Sequence, residues 1–194
     1  IINAPIDSLS PTQKDLSDLL TNKPWLILLG VGIMFGLFTV VRPSAASYYF
    51  KYFLQRDDLI SVYFFLTLLA SLVAAVATGW LSNRFNKRTL MIAAFVLGSV
   101  FNGAIYFISP EQIVPMMVLA TIGEFFAGMM PVLFFSMLGD TVDYSEWKNG
   151  RRATGLMYSA GTFINKTGHG FAGAMVLIVL ALWGYDAKVP EAVT

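Results

Sequence analysis

The 194-residue sequence contains no cysteine and one histidine. Without thiols there is no disulfide framework, no thiolate metal site and no cysteine nucleophile. His169 has no second histidine and no HExxH spacing from which a metal centre could be built. Charge is also scarce. Charged residues make up 13% against 56% hydrophobic, with a mean hydropathy of +0.65, whereas a soluble domain is about 25% charged. So little polar surface cannot clothe a soluble globule, and the lipid bilayer is the expected solvent. The net charge of +1, with no Lys/Arg cluster beyond short loops, excludes a nucleic-acid surface. No basic leader precedes a cleavage site, and the chain opens on Ile1, so it reads as the interior of a longer polypeptide.

What fills the chain is a set of five long apolar runs, at about residues 24–54, 59–81, 88–108, 112–138 and 153–184. Each meets or approaches the roughly 20 residues needed to cross about 30 Å of hydrocarbon. The fold class is therefore an all-α polytopic membrane protein. Residues 1–21 are polar, and Thr12 to Leu20 can form a short amphipathic helix with Leu16, Leu19 and Leu20 on one side. Asn22, Lys23, Pro24 and Trp25 open the first span, with Pro in the first turn and Trp at interface depth. Counting basic residues by alternate loops puts eight on one side (Lys14, Lys23, Arg84, Lys87, Arg88, Lys148, Arg151, Arg152) and three on the other (Lys51, Arg56, Lys188). The positive-inside rule makes the first side cytoplasmic. Residues 185–194 then form an external segment ahead of a missing last span.

Four ionisable residues stand out within the spans, Arg42, Glu124, Lys166 and His169, where a charge costs about 2.5–3.5 kcal/mol unless it faces a cavity or a partner. Lys166 sits about 15 Å from the cytoplasmic end of the fifth span, near the midplane. Gly155, Ser159, Thr162, Lys166, His169 and Gly173 follow at spacings of three and four, a small and polar stripe on one helical face. The stripe reads either as a packing face or as the wall of a wet cavity, and the midplane lysine favours the cavity. His169 is expected to hydrogen-bond Lys166, and Gly161, Gly168, Gly170 and Gly173 to allow close helix approach or bending. Glu124 is the only charge of the fourth span, about 24 Å from Asp140. Arg42, beside Pro43, falls at similar depth, where it can either snorkel or pair with Glu124.

The segment Asp140-x-x-Asp143-Tyr-x-Glu146-Trp-Lys-x-Gly-x-Arg152, followed by Gly-Leu-x-Tyr-Ser and Thr-Phe-x-x-Lys166, resembles the glycoside-pentoside-hexuronide:cation symporters, the group containing melibiose permease. Asn22-Lys-Pro-Trp25, Tyr48-Tyr-Phe-Lys-Tyr52 and Gly79-Trp-Leu-Ser-Asn83-Arg84-Phe-Asn-Lys87-Arg88 are similar to the same family, the last being a variant of the loop motif of the major facilitator superfamily. The chain departs from the family at Thr154, where Glu is common, and at Asn83, where Asp is common.

The resemblance implies a helical bundle of the major facilitator type, covering about spans seven to eleven of twelve, in a bacterial inner membrane. It implies cation-coupled symport of a glycoside, pentoside or hexuronide by alternating access. The partners implied are the sugar, a monovalent cation (H⁺, Na⁺ or Li⁺) held mainly by an amino-terminal half, that half itself and the bilayer, with no other cofactor. Lys166 matches the lysine at the family's sugar and cation cavity, which recurs irrespective of sugar charge, so a lean toward an anionic hexuronide rests on Arg42 alone. Thr162, Asn165 and Tyr158 are the nearby donors, with Glu124 and Arg42 as further candidate substrate ligands. Asp140, Asp143, Glu146, Arg151 and Arg152, with Arg84 and Arg88, fall in cytoplasmic gating loops. A truncated, non-transporting membrane module is the alternative. A membrane-embedded enzyme lacks a nucleophile with its base.

Overall fold

A computed structural model describes residues 17–182. Five helices follow one another: α1 Lys23–Tyr48, α2 Asp57–Ser82, α3 Lys87–Ala104, α4 Ile113–Asn149 and α5 Thr154–Leu182. A π-helical turn, Tyr49–Phe53, extends α1, and a 3₁₀ turn, Ile105–Phe107, extends α3. All five are long and apolar enough to cross a membrane. Where they are described, the helix ends lie within a few residues of the apolar runs, except that the fourth helix runs on to Asn149. Residues 183–194 and the first part of the amphipathic helix expected over Thr12 to Leu20 lie outside the described residues. Its remainder is helical over 17–21.

Local chemistry sets the helix ends. Asn22 caps α1 by accepting a hydrogen bond from the Trp25 amide (3.1 Å), and Asn86 caps α3 by accepting from the Arg88 amide (2.9 Å). Gly150 ends α4 at φ +67°, a left-handed conformation that a Cβ would strain. Residues 140–149, read from the sequence as a gating loop, instead continue α4 for more than two turns. The amphipathic spacing of Thr141, Val142 and Ser145, all buried, keeps the helix going past the apolar run.

Helix α4 is the hub. It packs against α2 and α3 along most of its length and also meets α1 and α5, while α1 and α5 form the other close pair. Small residues permit these approaches, as is usual where lipid offers helices no hydrophobic drive to associate. Gly36 faces the Asn165 carbonyl and the Gly168 Cα, and Gly128 faces Ser71 and Ala74. Gly161 and Gly168 are close-approach positions as expected, whereas Gly170 and Gly173 meet nothing within 4 Å. The outer faces of α2 and α3 expose Phe65, Leu68, Leu72, Val76, Ile92, Val96 and Val100, an apolar surface suited to acyl chains. Trp25, expected at the lipid interface, is buried among Leu28, Leu138 and their neighbours.

A Cβ on Gly36 would lie 2.5 Å from the Asn165 carbonyl oxygen. Gly36→Ala is therefore expected to destabilise the bundle by about 1–3 kcal/mol through overpacking, and Gly170→Ala to change nothing. Thermal unfolding of the two variants in detergent checks the contrast.

Candidate functional site

On α5 the expected donors divide between two faces. Lys166 is exposed, between exposed Phe163 and Phe171, with Thr162 half-buried on the preceding turn. Tyr158 is half-buried and donates its hydroxyl to the Phe135 carbonyl at 3.4 Å. Asn165 points the other way. It is buried against α1 and donates Nδ2 to the Gly32 carbonyl at 3.2 Å, which satisfies the helix crossing. His169 also turns toward α1, its ring beside Gly36. Its Nε2 is buried without a hydrogen-bond partner among the described residues, so the expected bond to Lys166 is not formed. The six-residue stripe thus splits, because consecutive steps of three and four drift round the helix and a neighbouring helix covers one edge.

Arg42 and Glu124 meet. The Arg42 Nη2 and a Glu124 carboxylate oxygen form an ion pair between α1 and α4, with the side chains 15% and 14% exposed. Similar depth and opposite charge, read from the sequence, pointed to this contact. The Arg42 guanidinium also stands 5.7 Å from the Phe38 ring centroid, and its Nε and Nη1 are buried without hydrogen-bond partners among the described residues. Pro43 does not break α1 here, and the Ser47 hydroxyl returns a hydrogen bond to the Pro43 carbonyl (2.9 Å). Beside the pair, toward the Tyr49–Phe53 end of α1, lies a cavity of about 530 Å³, which Arg42 lines with Tyr49, Tyr63, Asn102, Tyr106 and Met117. Arg42 is therefore not a free intramembrane cation, which removes the basis for a lean toward an anionic sugar.

At the end of the bundle that carries the basic loops the charges form straps. Lys87 Nζ donates to both Asp140 oxygens at 2.7 and 2.8 Å, joining α3 to α4. Arg152 pairs with Glu146 (2.7 Å) and Asp143 (3.2 Å) across the α4–α5 turn, and Arg151 pairs with Asp18. Of the two other expected gating residues, Arg84 covers the Trp80 ring at 4.4 Å, and Arg88 has an exposed side chain at the start of α3. Lys87, Asp18 and Asn22 were missed. Lys87 was legible only as one member of a basic loop, because its partner lies 53 residues away.

A bundle of five membrane-crossing helices, with an ion pair between two of them and basic straps on one side, defines a multi-pass membrane protein built like part of a carrier. The family model described as MFS/sugar transport protein matches residues 7–194, and the chain belongs to that family. The isoprimeverose transporter of Lactiplantibacillus pentosus is 35% identical over 179 residues, covering 92% of this chain and 37% of that protein. The inner membrane symporter YicJ and the putative glycoside/cation symporter YagG, both of Escherichia coli (strain K12), are each 30% identical, over 90% and 92% of the chain. The chain spans 38% and 39% of their lengths. These relatives bear out the resemblance to glycoside:cation symporters. The family and the relatives are transporters and not enzymes.

Proposed function

We propose that this chain is one of the two halves of a cation-coupled glycoside carrier, working by alternating access with an amino-terminal half. The observation that carries the reading is Lys166, a charge at mid-span that the structure leaves exposed. Facing lipid, it would carry the full burial cost of an intramembrane charge. Facing a water-filled interface between two bundles near the midplane, it carries little, and this is where secondary carriers hold their substrates. Lys166, Thr162 and Tyr158 are then the sugar-binding donors of this half. Asn165 supports them by fixing the α1–α5 crossing, and Arg42 with Glu124 holds α1 to α4. The coupling cation, H⁺, Na⁺ or Li⁺, is held mainly by carboxylates of the other half.

Uptake of labelled isoprimeverose and a panel of other glycosides by cells expressing the full-length carrier, with and without each cation gradient, tests the reading. Accumulation driven by one gradient is expected. No accumulation of any glycoside under any gradient would favour a non-transporting module.

The cytoplasmic straps are expected to govern rate more than affinity, since Asp143 and Arg152 lie at least about 15 Å from the midplane, half the hydrocarbon thickness. Exposed pairs are worth about 0.2–1 kcal/mol. Because Arg152 holds two acids, Arg152→Gln should slow uptake more than Asp143→Asn, which leaves Glu146 engaged. Initial-rate kinetics check this, and loss of affinity at unchanged turnover would move the strap into the substrate site.

A further inference from the structure

We infer that Asn22 is a positioning residue, fastening the segment ahead of α1 to the cytoplasmic extension of α4 so that the two move together during transport. Helix α4 has 37 residues and is about 55 Å long, while the hydrocarbon layer is about 30 Å thick. Its carboxy-terminal turns therefore project from the bilayer. On this projection, and on the turn that follows it, the structure gathers the other elements. Lys87 from α3 holds Asp140, Arg152 from the start of α5 holds Asp143 and Glu146, and Asp18 holds Arg151. Asn22 lies among them and is 2% exposed.

The chemistry of Asn22 goes beyond capping. A cap needs one acceptor oxygen, which Asp or Ser supplies equally well. Asn22 accepts from the Trp25 amide with Oδ1 and donates Nδ2 to the Thr141 carbonyl of α4 at 3.1 Å. Thr141 lies one residue beyond the strapped Asp140, and its own hydroxyl is satisfied by the Leu138 carbonyl (2.7 Å). The donated bond therefore joins two elements 119 residues apart at a point that only a side chain with both an acceptor and a donor can serve. Leu19, 2% exposed, inserts into the cluster that holds Leu138, Val142 and Met157. An apolar pin, a buried hydrogen bond and an ion pair thus lie within five residues. Displacement of this segment must carry α4, and α4 carries α3 and α5.

The effect on transport rests on the carrier reading, whereas the clasp itself does not, and the test separates them. Asn22→Asp keeps the cap and loses the donor. In the full-length carrier reconstituted in lipid nanodiscs, amide hydrogen exchange over residues 17–26 is expected to quicken about fivefold in Asn22→Asp, as for loss of one buried hydrogen bond. In cells, the same variant should lose about fivefold in turnover for the transported glycoside, with the KM unchanged within about twofold, matching Asn22→Ala. The charge reversal Asp18→Arg with Arg151→Asp should recover the rate lost in either single variant. Wild-type exchange in Asn22→Asp would reduce Asn22 to a cap and overturn the inference. Faster exchange with unchanged turnover, or a reversal that recovers nothing, would overturn the coupling. If the wild type moves no glycoside, the carrier reading falls, and the exchange result still decides the clasp.

Discussion

Lys166→Ala in the full-length carrier is expected to abolish cation-driven accumulation while leaving the protein inserted and folded. The structure gives the variant no packing cost. Lys166 is exposed, and it has no ion pair or hydrogen bond with the described residues. What the substitution removes is a charge at mid-span that a bilayer protein keeps only where it is used. Uptake assays alongside surface labelling and thermal unfolding separate the alternatives. Normal accumulation would remove Lys166 from the substrate face. Loss of folding would instead mean that a neighbouring bundle relies on it for packing.

The Arg42–Glu124 pair should give the largest stability effect. Glu124→Gln leaves a guanidinium that already has two unmatched buried nitrogens without its one counter-charge. Stranding a buried charge in this way costs about 3–5 kcal/mol. The double variant, Glu124→Gln with Arg42→Gln, removes both charges and is expected to be more stable than Glu124→Gln alone, with a coupling of about 0.5–3 kcal/mol. Unfolding midpoints of the two single variants, the double variant and wild type close the cycle. Additive losses would show that the two residues act independently and would return Glu124 to the candidate sugar ligands.

The five spans and the family were legible because each rests on a property carried along the chain, namely the length of apolar runs and a run of matched residues. The Arg42–Glu124 pair was legible for a related reason. Two isolated opposite charges at one depth in a medium hostile to charge have few other partners to meet. The helical state of residues 140–149 was not legible, because acids and polar residues past an apolar run read equally well as loop. Which face Asn165 and His169 take was also hidden, since the stripe on α5 is continuous in sequence and its division depends on where α1 crosses. The sequence by itself therefore determined the membrane class, the number of the spans and the identity of the unusual charges, because hydropathy acts locally. Only the tertiary structure decided that Asn165 packs while Lys166 stays open, that Lys87 and not Arg84 or Arg88 binds Asp140, and that Asn22 reaches Thr141. Each of these depends on a contact between helices far apart in the chain, and close approach at glycines such as Gly36 and Gly168, not residue type, sets which side chains can meet.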